Sequence, residues 1–162
     1  MTARLLWLPA VIALAMGPSP VSQSRSPDIL PGPAAAKVLS VATSGRIGAA
    51  MVVLTTAVAI KETGPQKTVK AFGEVYAFSP PVFAVHRDVP TRVTFWNLQE
   101  DDEHDFMLLD PRDAVLMKVK LPALAKTSFV FTFHEEGIFP FFCTVHQPEM
   151  SGQILVLPPA RP

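Results

Sequence analysis

From Lys67 to Leu157 the chain is a succession of short apolar runs, most of them ended by proline or glycine before they can complete several helical turns. The runs fall at 68–72, 75–78, 82–85, 91–96, 105–109, 115–119, 128–133, 139–143 and 153–157. Gly73, Pro80-Pro81, Pro90, Pro111, Pro122, Gly137 and Gly152 stand between them. No stretch of this region carries a long 3.6-residue periodicity. Short strands at this spacing predict an all-β domain, a β-sandwich or Greek-key barrel. Within 128–133, alternation points Phe129, Phe131 and Phe133 to one face. His134, just beyond, and His86, beside Arg87-Asp88 at a turn, read as solvated histidines.

The chain ahead of this region divides by composition. Residues 1–20 open with a short positive start, continue through an apolar run from Leu5 to Met16 and end at Gly17-Pro18-Ser19-Pro20. That run is too short to span a bilayer comfortably and reads as an export signal, or else as an uncleaved N-terminal anchor. No cysteine follows it, which excludes a lipoprotein anchor. Residues 21–46, rich in Pro, Ser and Gly, read as a disordered linker. Residues 47–60 (IGAAMVVLTTAVAI) fall short of the roughly 20 apolar residues of a membrane helix. Alternating Val52, Leu54, Thr56, Val58 and Ile60 favour a strand, with membrane attachment as the alternative. The resulting division is 1–20 signal or anchor, 21–46 linker, 47–65 strand or connecting segment and 66–158 the main domain.

Charge and cysteine content narrow the chemistry. The 14 Lys and Arg balance 14 Asp and Glu. There is thus no basic surface to drive counterion release, and nucleic acid is not an expected partner. The single cysteine, Cys143, can form no intramolecular disulfide and supplies one thiolate where structural zinc and iron–sulfur sites need several.

That cysteine stands in Cys143-Thr144-Val145-His146-Gln147-Pro148-Glu149-Met150, a C-x2-H-x3-M loop between an aromatic run and Ser151-Gly152. Taken singly, each residue has an ordinary structural reading: a buried thiol, a loop histidine, a core methionine. Together a thiolate, an imidazole and a thioether make an unusual donor set. A second imidazole from another strand would complete the ligand field of an electron-transfer copper site, and His104 is the candidate. Sulfur donors favour Cu(I) and imidazoles accommodate both oxidation states, so a rigid compromise between them suits electron transfer. The rival chemistry, a Cys/His nucleophile pair, lacks an evident orienting Asn or Asp. Zinc would accept the Cys and His but takes a thioether less readily.

Residues 66–157 resemble the cupredoxins, the type 1 blue copper proteins, and in detail the cupredoxin domain of cytochrome oxidase subunit II and nitrous oxide reductase. The resemblance rests on Phe78-Ser79-Pro80, Arg92 to Leu98, Glu103-His104-Asp105-Phe106, Glu136-Gly137-Ile138-Phe139, Phe142-Cys143-Thr144-Val145-His146 and Met150 to Val156. It implies a cupredoxin-like Greek-key sandwich binding one copper ion through His104, Cys143, His146 and Met150. The dinuclear centre of those relatives needs a second cysteine four residues before Cys143, where this chain has Phe139, so the implied site is mononuclear. Another departure is Asp105, where the relatives usually carry a small residue. A carboxylate there is an alternative axial ligand to Met150.

The implied function is single-electron shuttling between exported, periplasmic redox partners, without catalysis by this chain. Two alternatives stay open: a periplasmic copper carrier or chaperone, and an accessory subunit of a membrane respiratory complex. Seven acids lie around His104 (Glu100, Asp101, Asp102, Glu103, Asp105, Asp110 and Asp113), with Arg112 as the only nearby base in the sequence. They are either a solvating loop or a patch that steers basic-surfaced partners such as a cytochrome or an oxidase or reductase.

Overall fold

The computed structural model describes residues 28–159. Among them ten strands and one α-helix follow in order: β1 (Leu39–Ala42), β2 (Ala49–Ala59), α1 (Gln66–Phe72), β3 (Val75–Ser79), β4 (Val82–His86), β5 (Thr91–Asn97), β6 (His104–Leu109), β7 (Val115–Leu121), β8 (Lys126–Phe133), β9 (Gly137–Phe142) and β10 (Ser151–Leu157). The strands form two five-stranded sheets, ordered β1-β8-β5-β2-β3 and β4-β10-β9-β6-β7. Most neighbours run antiparallel, but β2 lies parallel to β5 and β4 parallel to β10.

The alternation read from the sequence is what closes the two sheets on each other. Along β5, Thr91, Val93, Phe95 and Asn97 are buried while Arg92, Thr94 and Trp96 are partly exposed. Phe129, Phe131 and Phe133 all point inward, as expected. Phe106 of β6 sits among aromatic rings from both sheets, with centroids 4.6 Å from Phe95, 5.2 Å from Phe141, 6.2 Å from Phe131 and 6.3 Å from Phe78. Such rings contribute beyond their buried area through edge and offset packing. This cluster roots β6 two residues from His104.

Gly152 shows how tightly β10 is seated. A Cβ there would clash with both the Pro81 carbonyl oxygen and the ring edge of Phe141. Only glycine lets the backbone pass so close to a ring and a neighbouring carbonyl.

The run 68–72, expected as a strand, is helical: Pro65 precedes the helix, and Gly73, at φ 82°, ends it with its N–H bonded to the Val69 carbonyl. Proline before and glycine after a short segment are helix boundary signals, and they prevail over a five-residue alternation too short to distinguish the two periods. The stretch 47–60, with two readings open, resolves as strand β2, inside a sheet between β3 and β5.

The expected linker, from Asp28 on, is not free chain. Ile29 exchanges backbone hydrogen bonds with Lys118 at the edge of β7 (2.7 and 2.8 Å), and Leu39–Ala42 pairs with β8. The folded sandwich therefore takes in residues well before 66. The physical reason is that β7 and β8 would otherwise leave open sheet edges, and a proline-rich segment still closes them with brief pairings. The export-signal expectation for residues 1–20 lies outside the described residues, as does the linker up to residue 27.

His134 also departs from a purely solvated reading. Its Nε2 lies 2.8 Å from Ser40 Oγ and its Nδ1 2.9 Å from Asp88 Oδ1, so the ring clasps β1 to the turn after β4. His86, at the end of β4, has its Nδ1 2.6 Å from the carbonyl oxygen of Pro158, just past β10. No helix among the described residues is long and apolar enough to cross a membrane.

Candidate metal centre

The four expected ligands come from three places at one end of the sandwich. His104 begins β6, Cys143 follows the last residue of β9, and His146 and Met150 lie in the turn leading into β10. Strands β6 and β9 are paired, with Met107 opposite Phe142, so the start of one meets the end of the other. The turn is closed by its own backbone: Cys143 N–H donates to the Met150 carbonyl (2.9 Å), and Met150 N–H donates to the His146 carbonyl (2.9 Å). These bonds fold C-x2-H-x3-M into a compact loop whose two ends are both strand-anchored.

The donor atoms converge. Nδ1 of His104 is 3.1 Å from Nδ1 of His146, and Cys143 Sγ is 3.6 Å from His146 Nδ1 and 4.0 Å from His104 Nδ1. A triangle with sides of 3.1, 3.6 and 4.0 Å has a centre equidistant from its corners at about 2.1 Å. Transition-metal bonds run to about 2.0–2.1 Å for imidazole nitrogen and about 2.3 Å for thiolate sulfur. The spacing of the three donors thus matches one metal ion held by all three. The only metal-sized cluster of His, Cys, Asp and Glu among the described residues is this one.

Burial is graded across the set. Cys143 and Met150 are fully buried and His104 is 1% exposed, whereas His146 is half-buried. Burial first and His146 beside it second lower the His104 pKa to about 4, against the opposing pull of Asp102 and Asp105. The geometry gives the reason: an imidazolium needs partners for both N–H groups, and His104 Nε2 is buried without one. Burial likewise pushes the Cys143 thiol upward, against hydrogen bonds from the backbone of Asp105, Val145 and His146 that pull it down. Both shifts favour the neutral, metal-free cluster, so binding a cation here displaces a thiol proton.

Several residues of the site were not read from the sequence. Tyr76, the only tyrosine of the chain, lies on β3 with its ring 4.4 Å from that of His146 and 5.1 Å from that of His104. Its hydroxyl donates to Asp102 (2.6 Å); burial first, and that bond second, hold the phenol far above its ordinary range. Asn97 is buried and satisfied on every side. It accepts from Thr55 Oγ1 and Gln99 N–H and donates to the carbonyls of Asp102 and Leu121, which fixes the loop entering His104.

Asp105 is not poised as an axial ligand. Its carboxylate accepts from the Thr144 amide (2.6 Å) and the Thr144 hydroxyl and pairs with Lys118 (3.1 Å). The acidic patch is also less uniform than its composition suggests. Asp105 and Asp110 are buried, Glu103 pairs with Lys120 (3.2 Å), and Asp110 caps its own turn through the amides of Arg112 and Ala114. Strand β7 brings Lys118 and Lys120 alongside β6, a juxtaposition invisible in linear order.

No protein-family model and no curated protein matches the chain. Its fold is shared with solved structures. The auracyanin B structure superposes with a TM-score of 0.52 at 14% identity, covering 75% of this chain and 99% of that one. Sodium-dithionite-reduced auracyanin from Roseiflexus castenholzii gives 0.49 at 15% identity over 70% of this chain and 100% of that one. A point mutant of amicyanin in its reduced state gives 0.45 at 21% identity over 74% and 99%. The architecture shared with auracyanin B is the cupredoxin-like β-sandwich that the sequence resemblance implied.

Proposed function

We propose that the protein binds one copper ion through His104, Cys143, His146 and Met150 and passes single electrons between redox partners. The observation that carries the reading is the donor triangle, two imidazole nitrogens and one sulfur spaced for a single ion, formed by His104 of β6 with a loop that also brings a buried thioether. Copper so held would cycle between Cu(I) and Cu(II). The chain's own contribution is rigidity. Strands β6 and β9 fix His104 and Cys143, the loop hydrogen bonds fix His146, and Asn97 and Tyr76 hold the surroundings, so little rearranges when charge changes.

His146 is the electron exit in this reading. It is half-buried where His104 is enclosed, and Val145 beside it is 65% exposed with Pro148 also at the surface. Partners are redox proteins that dock there, and the exposed acids Glu100 and Asp101, in the loop leading to His104, favour basic surfaces. Enclosure of His104, Cys143 and Met150 weighs against an exchangeable copper carrier. The strand at residues 49–59 weighs against that stretch as the attachment of a membrane subunit. The export signal read in residues 1–20 supports a periplasmic setting, and catalysis by this chain alone is not part of the proposal.

The test is to add Cu(II) to the purified protein and record visible absorption and paramagnetic resonance, then repeat with Cys143→Ser. An intense thiolate-to-copper band in the parent and none in the variant is the expected result. A parent without the band overturns the reading.

A further inference from the structure

Directly behind the donor triangle sits a charged pair that the coordination set does not use. Asp105, 7% exposed, follows His104 in β6, and its amide N–H points at Cys143 Sγ from 3.5 Å. Its carboxylate grips Thr144, the residue after Cys143, through both the amide and the hydroxyl of that residue. One side chain thus joins the residues adjoining two of the proposed ligands. An uncompensated carboxylate here would add negative charge beside the thiolate. Lys118 of β7 answers it: its Nζ is 3.1 Å from Asp105 Oδ2 and 3.1 Å from Thr144 Oγ1.

The other carboxylate acting on His104, Asp102, accepts from the Tyr76 hydroxyl (2.6 Å). Glu103, just before β6, pairs with Lys120 of β7, and this pair and Asp105–Lys118 border a small hollow of about 160 Å³ lined also by Thr144 and Val145. The two lysines are therefore each committed to one carboxylate, and Lys118 is the cation nearest the thiolate's hydrogen-bond partners.

We infer that Lys118 is the counter-charge that offsets the Asp105 carboxylate beside the metal and so protects the Cu(II)/Cu(I) preference from it, while Asp105 acts as a positioning residue for the Cys143 loop through Thr144. The inference rests on the copper reading above. In the one-electron step Cu(II) + e⁻ → Cu(I), a nearby negative charge opposes arrival of the electron and a positive charge favours it. Removing Lys118 should lower the potential, removing the Asp105 charge should raise it, and removing both should restore it. A single unit charge within about 10 Å, partly screened by solvent, changes the preference by about tenfold, or about 59 mV for a one-electron couple.

The experiment is redox titration of the copper-loaded full chain for the parent, Lys118→Met, Asp105→Asn and the double variant, with the visible spectrum recorded throughout. Amide hydrogen exchange at Thr144 in the metal-free parent, Lys118→Met and Asp105→Ala proteins supplies a readout independent of copper. Expected results are opposite shifts of about tenfold each way in the single variants, a double variant within about threefold of the parent, and a Thr144 amide that stays protected in Lys118→Met but exchanges readily in Asp105→Ala. Single variants that shift the same way, or not at all while retaining the thiolate-to-copper band, overturn the counter-charge. A Thr144 amide equally protected in Asp105→Ala overturns the positioning role. A parent with no such band overturns the copper reading itself, and the counter-charge with it.

Discussion

Acidifying the metal-free protein should destabilise it through His104 in a defined window. The imidazole pKa falls from 6.5 in the unfolded chain to about 4 in the folded one, chiefly because burial leaves Nε2 without a partner. The unfolded state therefore binds the extra proton first, and between pH 6.5 and 4 unfolding is accompanied by proton uptake. Stability rises with pH across that window; the contribution is complete above about 6.5 and gone below about 4. At about 1.36 kcal/mol per pKa unit, the fall from 6.5 to about 4 is worth about 3 kcal/mol. Urea denaturation of metal-free protein from about pH 4 to about pH 7.5 reads the slope, and the same series on His104→Gln subtracts the contribution of the carboxylates. An NMR titration of the His104 ring reads the midpoint directly. A midpoint at about 6 or above, or a slope unchanged in His104→Gln, would refute the argument that enclosure of this imidazole dominates its titration.

Other consequences follow from the packing around the site. Phe106→Ala should cost about 3–5 kcal/mol in chemical denaturation, since the ring is enclosed by four other phenylalanines and its loss opens a cavity under β6. A cost below about 1 kcal/mol would mean the cluster collapses around the gap. Gly152→Ala should destabilise by at least about 2 kcal/mol, because a backbone carbonyl and a buried ring must both give way; a neutral variant would show that β10 is not seated as described. His134→Ala should cost about 0.5–1.5 kcal/mol and accelerate amide exchange in β1 before the rest of its sheet, since the ring links Ser40 to Asp88. Uniform acceleration throughout the sandwich would argue against a local clasp.

The local pattern of this chain went far toward its fold. Period-two alternation with proline and glycine punctuation located most strands of both sheets, because the inward face of a strand is written into every second residue. Where the signal was short it failed: five residues at 68–72 suit either period, and the boundary residues Pro65 and Gly73 carried the information instead. Residues 28–46 misled for a different reason. Their composition argues against a packed core, yet edge pairing needs only a few backbone hydrogen bonds and places no strong demand on composition.

By itself the sequence determined the loop of the candidate site. Cys143, His146 and Met150 lie within eight residues, so their proximity is a property of the chain, and the single thiol limits the cluster to one sulfur anion. The net charge of zero hid an uneven distribution, with 12 acids against 8 bases in residues 66–157. Tertiary structure alone decided what surrounds that loop. Pairing of β6 with β9 brings His104 to the thiol, β3 lays Tyr76 against both imidazoles, and the register of β6 on β7 gives Asp105 its lysine. Those contacts depend on strand order and register, which a one-residue slip would undo by turning each side chain to the opposite face.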